Sequence, residues 1–147
     1  MKSVKKSVRL AEEAFEVGKA LGDEGATINW SAGINSMAVQ YQLFVKYSKP
    51  EMPQNHWEAV FECLKENERN IEDLMMLLPI RVHNRYEKDD VFRKWFTDES
   101  EALALIEQLN GMSECQRIAI IFEARKHWYE RNKSLKLLDE NAEQLIG

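Results

Sequence analysis

Two cysteines, three histidines and three prolines in 147 residues, with no run of 18 or more apolar residues, set the first limits on this chain. Without such a run no segment is long and apolar enough to span a bilayer as a helix. The basic start, Met1 to Arg9, lacks the continuous apolar stretch and small-residue cleavage site of a secretion signal. Cys63 and Cys115 therefore read as reduced thiols in a cytoplasmic protein, both buried because both sit in apolar-periodic stretches. His56 and His83 have no acid or cysteine at the spacing of a zinc-ligand set. There is no G-x-S-x-G elbow, Walker loop or G-x-G-x-x-G, so nucleophilic hydrolase and dinucleotide chemistry lose their usual carriers. A net charge of −5 disfavours a dedicated nucleic-acid binder.

What is present is material for a core. Hydrophobic residues make up 44% of the chain, with four tryptophans, which is far from a disordered composition. The length fits one domain, 1–147, able to bury roughly two-thirds of its unfolded surface. Charged residues make up 31% of the total, yet none falls between Gly25 and Val45. Within that run Trp30, Ile34, Met37, Tyr41 and Phe44 recur at steps of four and three, the rhythm of one helix face. A helix with no charge on any side is expected at the centre of the fold or in a self-association seam.

The rest of the pattern is helical. A first helix is expected over Ser3–Leu21, with Val4, Val8, Ala11 and Phe15 on one stripe and Gly22 as its stop. Gly18 weakens its last turn by about 1 kcal/mol relative to alanine. Thr27 is the expected N-cap of the uncharged helix, which Pro50 and Pro53 end near Tyr47. Asn55 with Glu58 has capping-box spacing, and the rhythm from Trp57 to Leu78 predicts one helix with a wet middle at 65–70. Residues 80–90 read as a linker into a short helix carrying Val91, Phe92, Trp95 and Phe96. Thr97 caps the next helix, which stops at Asn110-Gly111; Ser113 with Gln116 forms a second capping box. The last helix carries Cys115, Ile118, Phe122 and Trp128, then continues or restarts at Ser134 to bury Leu135, Leu138, Ala142 and Leu145. The fold class is all-α: a single-domain bundle of five to seven helices with a central uncharged helix.

Few residues carry chemistry. Glu12, Glu13 and Glu16 spell E-E-x-x-E, and on a helix Glu12 and Glu16 share a face beside Glu13. Three such carboxylates can bind Mg²⁺ and bridge phosphates. This short motif resembles the first signature of the all-α nucleoside triphosphate pyrophosphohydrolases, the MazG-like and dimeric dUTPase-like enzymes. That resemblance implies a Mg²⁺ site completed by an E-x-x-D on a later helix. Here Asn70-Ile71-Glu72-Asp73 supplies the aspartate, Asp73, but has Asn in place of the first Glu. Glu123 and His127, at i and i+4, lack the Glu-x-x-His pairs of a di-iron bundle. Leu103–Phe122 has the outline of a helix-turn-helix, yet its second helix presents Glu114, Gln116 and Arg117 and then turns apolar, which suits an αα-hairpin better.

The cluster from Arg125 to Arg131 is basic and aromatic. If Trp128 enters the core, Tyr129 points about 100° away and is exposed among Arg125, Lys126 and Arg81 or Arg85 from elsewhere in the chain. Tyr and Arg are enriched at binding hot spots. The expected function is thus a small cytosolic protein-interaction module, an adaptor, inhibitor or regulator that acts by binding. Its expected surfaces are Trp30, Ile34, Met37 and Tyr41, and Arg125, Tyr129 and Arg131. No cofactor or catalytic residue is assigned, and the expected partner is another protein or a second copy. The alternatives are the Mg²⁺-dependent pyrophosphohydrolase on Glu12, Glu13, Glu16 and Asp73, and a nucleic-acid-linked regulator on the Leu103–Phe122 hairpin.

Overall fold

The computed structural model describes residues 12–65 and 70–146. Among them it forms an all-α bundle of seven helices and no strand: α1 (Glu12–Leu21), α2 (Trp30–Ser48), α3 (Gln54–Cys63), α4 (Ile71–Lys88), α5 (Asp90–Arg93), α6 (Glu99–Gly111) and α7 (Glu114–Ile146). The chain divides between Phe44 and Val45 into two compact units. The expected stripe at Val4, Val8 and Ala11 lies outside the described residues.

In the first unit, glycine sets the geometry. α1 stops as expected at Gly22, whose amide donates to the Gly18 carbonyl at 2.9 Å. The turn that follows is held by Asp23 Oδ1 on the Gly25 amide at 2.8 Å, and by the Asn29 amide on the Gly22 carbonyl at 2.8 Å. Gly25 has φ +87°, a conformation that residues with a Cβ rarely adopt. The cap of α2 is Asn29, whose Oδ1 accepts from the Ala32 amide at 3.0 Å; Thr27 is not the cap, because the turn uses its carbonyl for Glu24 instead. A Cβ on Gly33 would sit 2.2 Å from the Gly18 carbonyl oxygen, so α1 and α2 cross at a point only glycine fits. Gly18, read in sequence as a weakness, belongs to this close approach. Within 12–44 the buried residues are Gly18, Gly22 and Gly33.

The core gathers in the second unit, not on the uncharged helix. Val60, Leu78, Val82, Leu105, Leu109 and Ile120 are wholly buried on α3, α4, α6 and α7. Sequence and structure part at α3. Pro53, not Asn55, precedes its first turn, and the Asn55 amide reaches across to the Trp95 carbonyl at 2.8 Å and Glu101 at 2.7 Å. α3 ends at Cys63, and Asn70 caps α4 by accepting from the Asp73 amide at 3.2 Å. The stretch 55–78 therefore holds two helices, one ending at Cys63 and one that Asn70 caps.

Residues 80–88 are helix rather than linker: α4 runs straight through buried Pro79. A proline has no amide to give the carbonyl four residues back, which normally costs a helix about 3 kcal/mol. Here that carbonyl, on Met75, accepts from Arg117 Nη1 of α7 at 3.2 Å. The neighbour replaces the missing donor.

α5 carries buried Phe92 as expected. α6 is capped by Asp98, whose Oδ1 takes the Glu101 amide at 2.9 Å, while Thr97 binds the Glu101 side chain. The Ser113–Gln116 capping box forms, with Ser113 Oγ on the Gln116 amide at 3.2 Å and Gln116 Oε1 on the Ser113 amide at 3.1 Å. α7 then runs 33 residues, about 50 Å at 1.5 Å per residue, without a restart at Ser134. Leu135 and Leu138 are 50% and 63% exposed rather than buried, and Ala142 is exposed too. The Leu145 side chain lies outside the described residues.

Candidate interaction surfaces

The stripe on α2 divides. Trp30 and Met37 turn toward α1: both come within 3.7 Å of where a Cβ would stand on Gly18, and Phe15 packs on Trp30 with ring centroids 4.5 Å apart. Ile34 and Tyr41 stay exposed at 38% and 42% on one side of the helix, and Val39 and Leu43 at 54% and 45% on the opposite side. The uncharged part of α2 thus presents apolar side chains outward.

The second expected surface is built from the middle of α7. Trp128 is half-buried, its Nε1 donating to the Phe61 carbonyl at 2.9 Å, and His127 stacks on Phe61 with centroids 4.4 Å apart. Cations flank the indole: Lys65 Nζ stands 5.2 Å from its centroid and the Arg131 guanidinium 5.8 Å. Tyr129 is 68% exposed and Arg125 is exposed. Every residue from 129 to 144 is exposed, and on this overhang Leu135 and Leu138 share a face while Leu137 is exposed on another. Helical spacing alone could not separate a stripe that meets a core from one that extends past it.

The remaining candidates fall in different units or are engaged. Glu12, Glu13 and Glu16 are exposed on α1, while Asp73 belongs to the other unit. No group of three His, Cys, Asp or Glu residues that could hold a metal ion occurs among the described residues. Glu123 reaches Lys49 at 3.9 Å. His83 does have an acid one turn away, Glu87, at 3.3 Å. Arg117, placed where a recognition helix would read bases, is spent on the carbonyls of Met75 and Asn110 at 3.2 and 3.0 Å. Of the thiols, Cys63 is buried and Cys115 exposed, so the expectation of two buried thiols fails at Cys115, on the outward side of the first turn of α7. Burial pushes the Cys63 thiol up to about 12, against the pull of Arg85 and Arg81, which makes it a poor nucleophile.

One polar cluster was illegible in the sequence because Asn55 and His56 lie more than 40 residues from Glu101. Glu101 on α6 accepts from the Thr97 hydroxyl at 2.5 Å, the Thr97 amide at 3.0 Å, His56 Nε2 at 2.9 Å and Asn55 Nδ2 at 2.7 Å. Led by the Thr97 hydroxyl, these donors lower the carboxyl from 4.5 to about 2. His56 itself is buried, 5.7 Å from Phe96 by centroids, and its Nδ1 has no partner. With one nitrogen held by Glu101 and the other enclosed, the cluster ties α3 to α6 and offers no open base.

Comparison with protein-family models, with curated proteins and with solved structures finds no match for this chain.

Proposed function

We propose that the protein is a small cytoplasmic interaction module, an adaptor, inhibitor or regulator that works by binding another protein or a second copy of itself. The observation that supports this reading is the apolar surface left on helices outside the core, at Ile34 and Tyr41 on α2 and at Leu135 and Leu138 on the α7 overhang. Tyr129, exposed one turn from Arg125, adds a residue type favoured at binding hot spots. The two free thiols and the lack, among the described residues, of a helix able to cross a membrane support the compartment.

The test is capture of the tagged full-length chain from host lysate at low and high salt, beside Tyr41→Asp and Leu138→Asp variants, with sedimentation of each to read self-association. The expected result is one stoichiometric partner, or a dimer, that survives salt and is lost in one of the variants. A clean lane and a monomer, together with Mg²⁺-dependent pyrophosphate release from nucleoside triphosphates that Glu13→Gln abolishes, would replace this reading with the pyrophosphohydrolase.

A further inference from the structure

The face shared by α4 and α6 belongs to neither surface above. On α4, Glu72, Met76, Ile80, His83 and Glu87 follow one another at steps of four, four, three and four, a single stripe opposite the buried Leu78 and Val82. Met76 and Ile80 are 64% and 53% exposed. On α6, Glu99, Leu103 and Ile106 share the matching face, and Leu103 is 51% exposed. The helices run antiparallel: His83, Glu87, Glu99, Leu103 and Ile106 line one cavity of about 500 Å³, and Arg117 joins the Met75 and Asn110 carbonyls at the far end.

The cavity is lined by Ala102, Leu103 and Ile106 with Tyr86, His83 and Arg93, and by the carboxylates Glu87 and Glu99; the exposed Met76 and Ile80 continue the α4 stripe beyond it as a groove. Glu87 and Glu99 stand at one end and Glu72 at the other. Two basic side chains line the same cavity, Arg93 and His83, and both are engaged. Arg93 pairs with Asp90 at 2.9 Å and donates to the Tyr86 and Glu87 carbonyls at 2.6 and 2.7 Å. Arg117 is held by its two carbonyls, and His83 by Glu87. From Glu72 to Glu87 the stripe spans about 22 Å, roughly four helical turns.

We infer that this groove receives a basic amphipathic helix of a partner protein. Apolar residues at i, i+4 and i+7 would lie on Leu103 and Ile106 and along the exposed Ile80 and Met76 of α4, and Lys or Arg toward the ends would meet the carboxylates. The inference rests on the reading of the chain as an interaction module and names the chemistry of one partner.

The probe is a synthetic helix of about 18 residues, with leucines at that spacing and lysines at both ends, read by fluorescence anisotropy against the full-length protein. A second peptide carries glutamates in place of the lysines. The lysine peptide should bind and the glutamate peptide should not. Leu103→Asp should weaken binding about tenfold, whereas Leu138→Asp on the overhang should leave it unchanged. Glu87→Lys with Glu99→Lys, both at exposed positions, should reverse the preference between the peptides, so a folding defect in Leu103→Asp does not decide the matter. No binding, equal binding of both peptides, or a preference untouched by the charge reversal overturns the groove. In that case a lysate partner still lost on Tyr41→Asp or Leu138→Asp would leave the wider reading standing.

Discussion

α2 and α4 are nearly the same length, 19 and 18 residues, and their places in the fold are the reverse of what their compositions suggest. α2 has no charge before Lys46, yet Val45 is its one buried side chain. α4 holds acids, arginines, a histidine and a proline, yet buries Leu74, Leu78, Pro79 and Val82. A core helix needs one face that meets neighbours, and charges on its other faces cost nothing. A helix lacking charge simply lacks the signal that would say which way is out.

The comparison breaks most readily at the core. Leu78→Ala removes a wholly buried side chain and should cost about 3 kcal/mol of unfolding free energy in denaturant titration. Ile34→Ala on α2, at 38% exposure, should cost under about 1 kcal/mol. Equal losses would mean that α2 is covered in solution by something that also shields Ile34.

The next effect tests what α2 does have. Gly33→Ala would improve helix propensity by about 1 kcal/mol in an open helix. Here its Cβ meets the Gly18 carbonyl oxygen at 2.2 Å, a backbone atom that cannot swing aside. Overpacking of this kind costs about 2 kcal/mol. Amide exchange in α1 and the start of α2 should therefore speed up while the amides of α4 keep their protection. A variant as protected as the parent would place the α1–α2 crossing wider apart.

These two effects mark where the sequence is legible. The all-α class, the stops at Gly22 and Gly111 and the Ser113–Gln116 box are local, so spacing and residue type reveal them. The break before Asn70 and the cap at Asp98 each turn on which of several polar neighbours wins a single amide, which pattern alone does not rank. The helix through Pro79 depends on Arg117, 38 positions later, and the Glu101 cluster on Asn55 and His56 far upstream. For the candidate surfaces, Tyr129 was legible from its angle to Trp128. The overhang was not, because a leucine stripe reads the same whether a neighbour faces it or water does.

α4 tolerates its proline only through a neighbour, and that dependence is measurable. Arg117→Met leaves the Met75 and Asn110 carbonyls without their donor and should cost about 1 kcal/mol. In a Pro79→Ala background the helix supplies its own amide to Met75, so the same change should cost less. Additive losses in the double-mutant cycle would show that Arg117 serves α4 in some other way.

The smallest effect separates the charged region from the uncharged one by pH. Glu101 is lowered to about 2 in the fold against an ordinary 4.5, so the unfolded chain binds its proton first as acid is added. The stability it contributes is whole above about pH 4.5 and drains away as pH falls toward 2. Glu101→Gln removes the titrating group, so its denaturation midpoint should depend less on pH across that interval than the parent's. The α2 run from Trp30 to Val45 carries nothing that titrates there, and its local exchange should not follow this step. Parallel pH profiles for parent and variant would show that the four donors around Glu101 hold it no more tightly than water does.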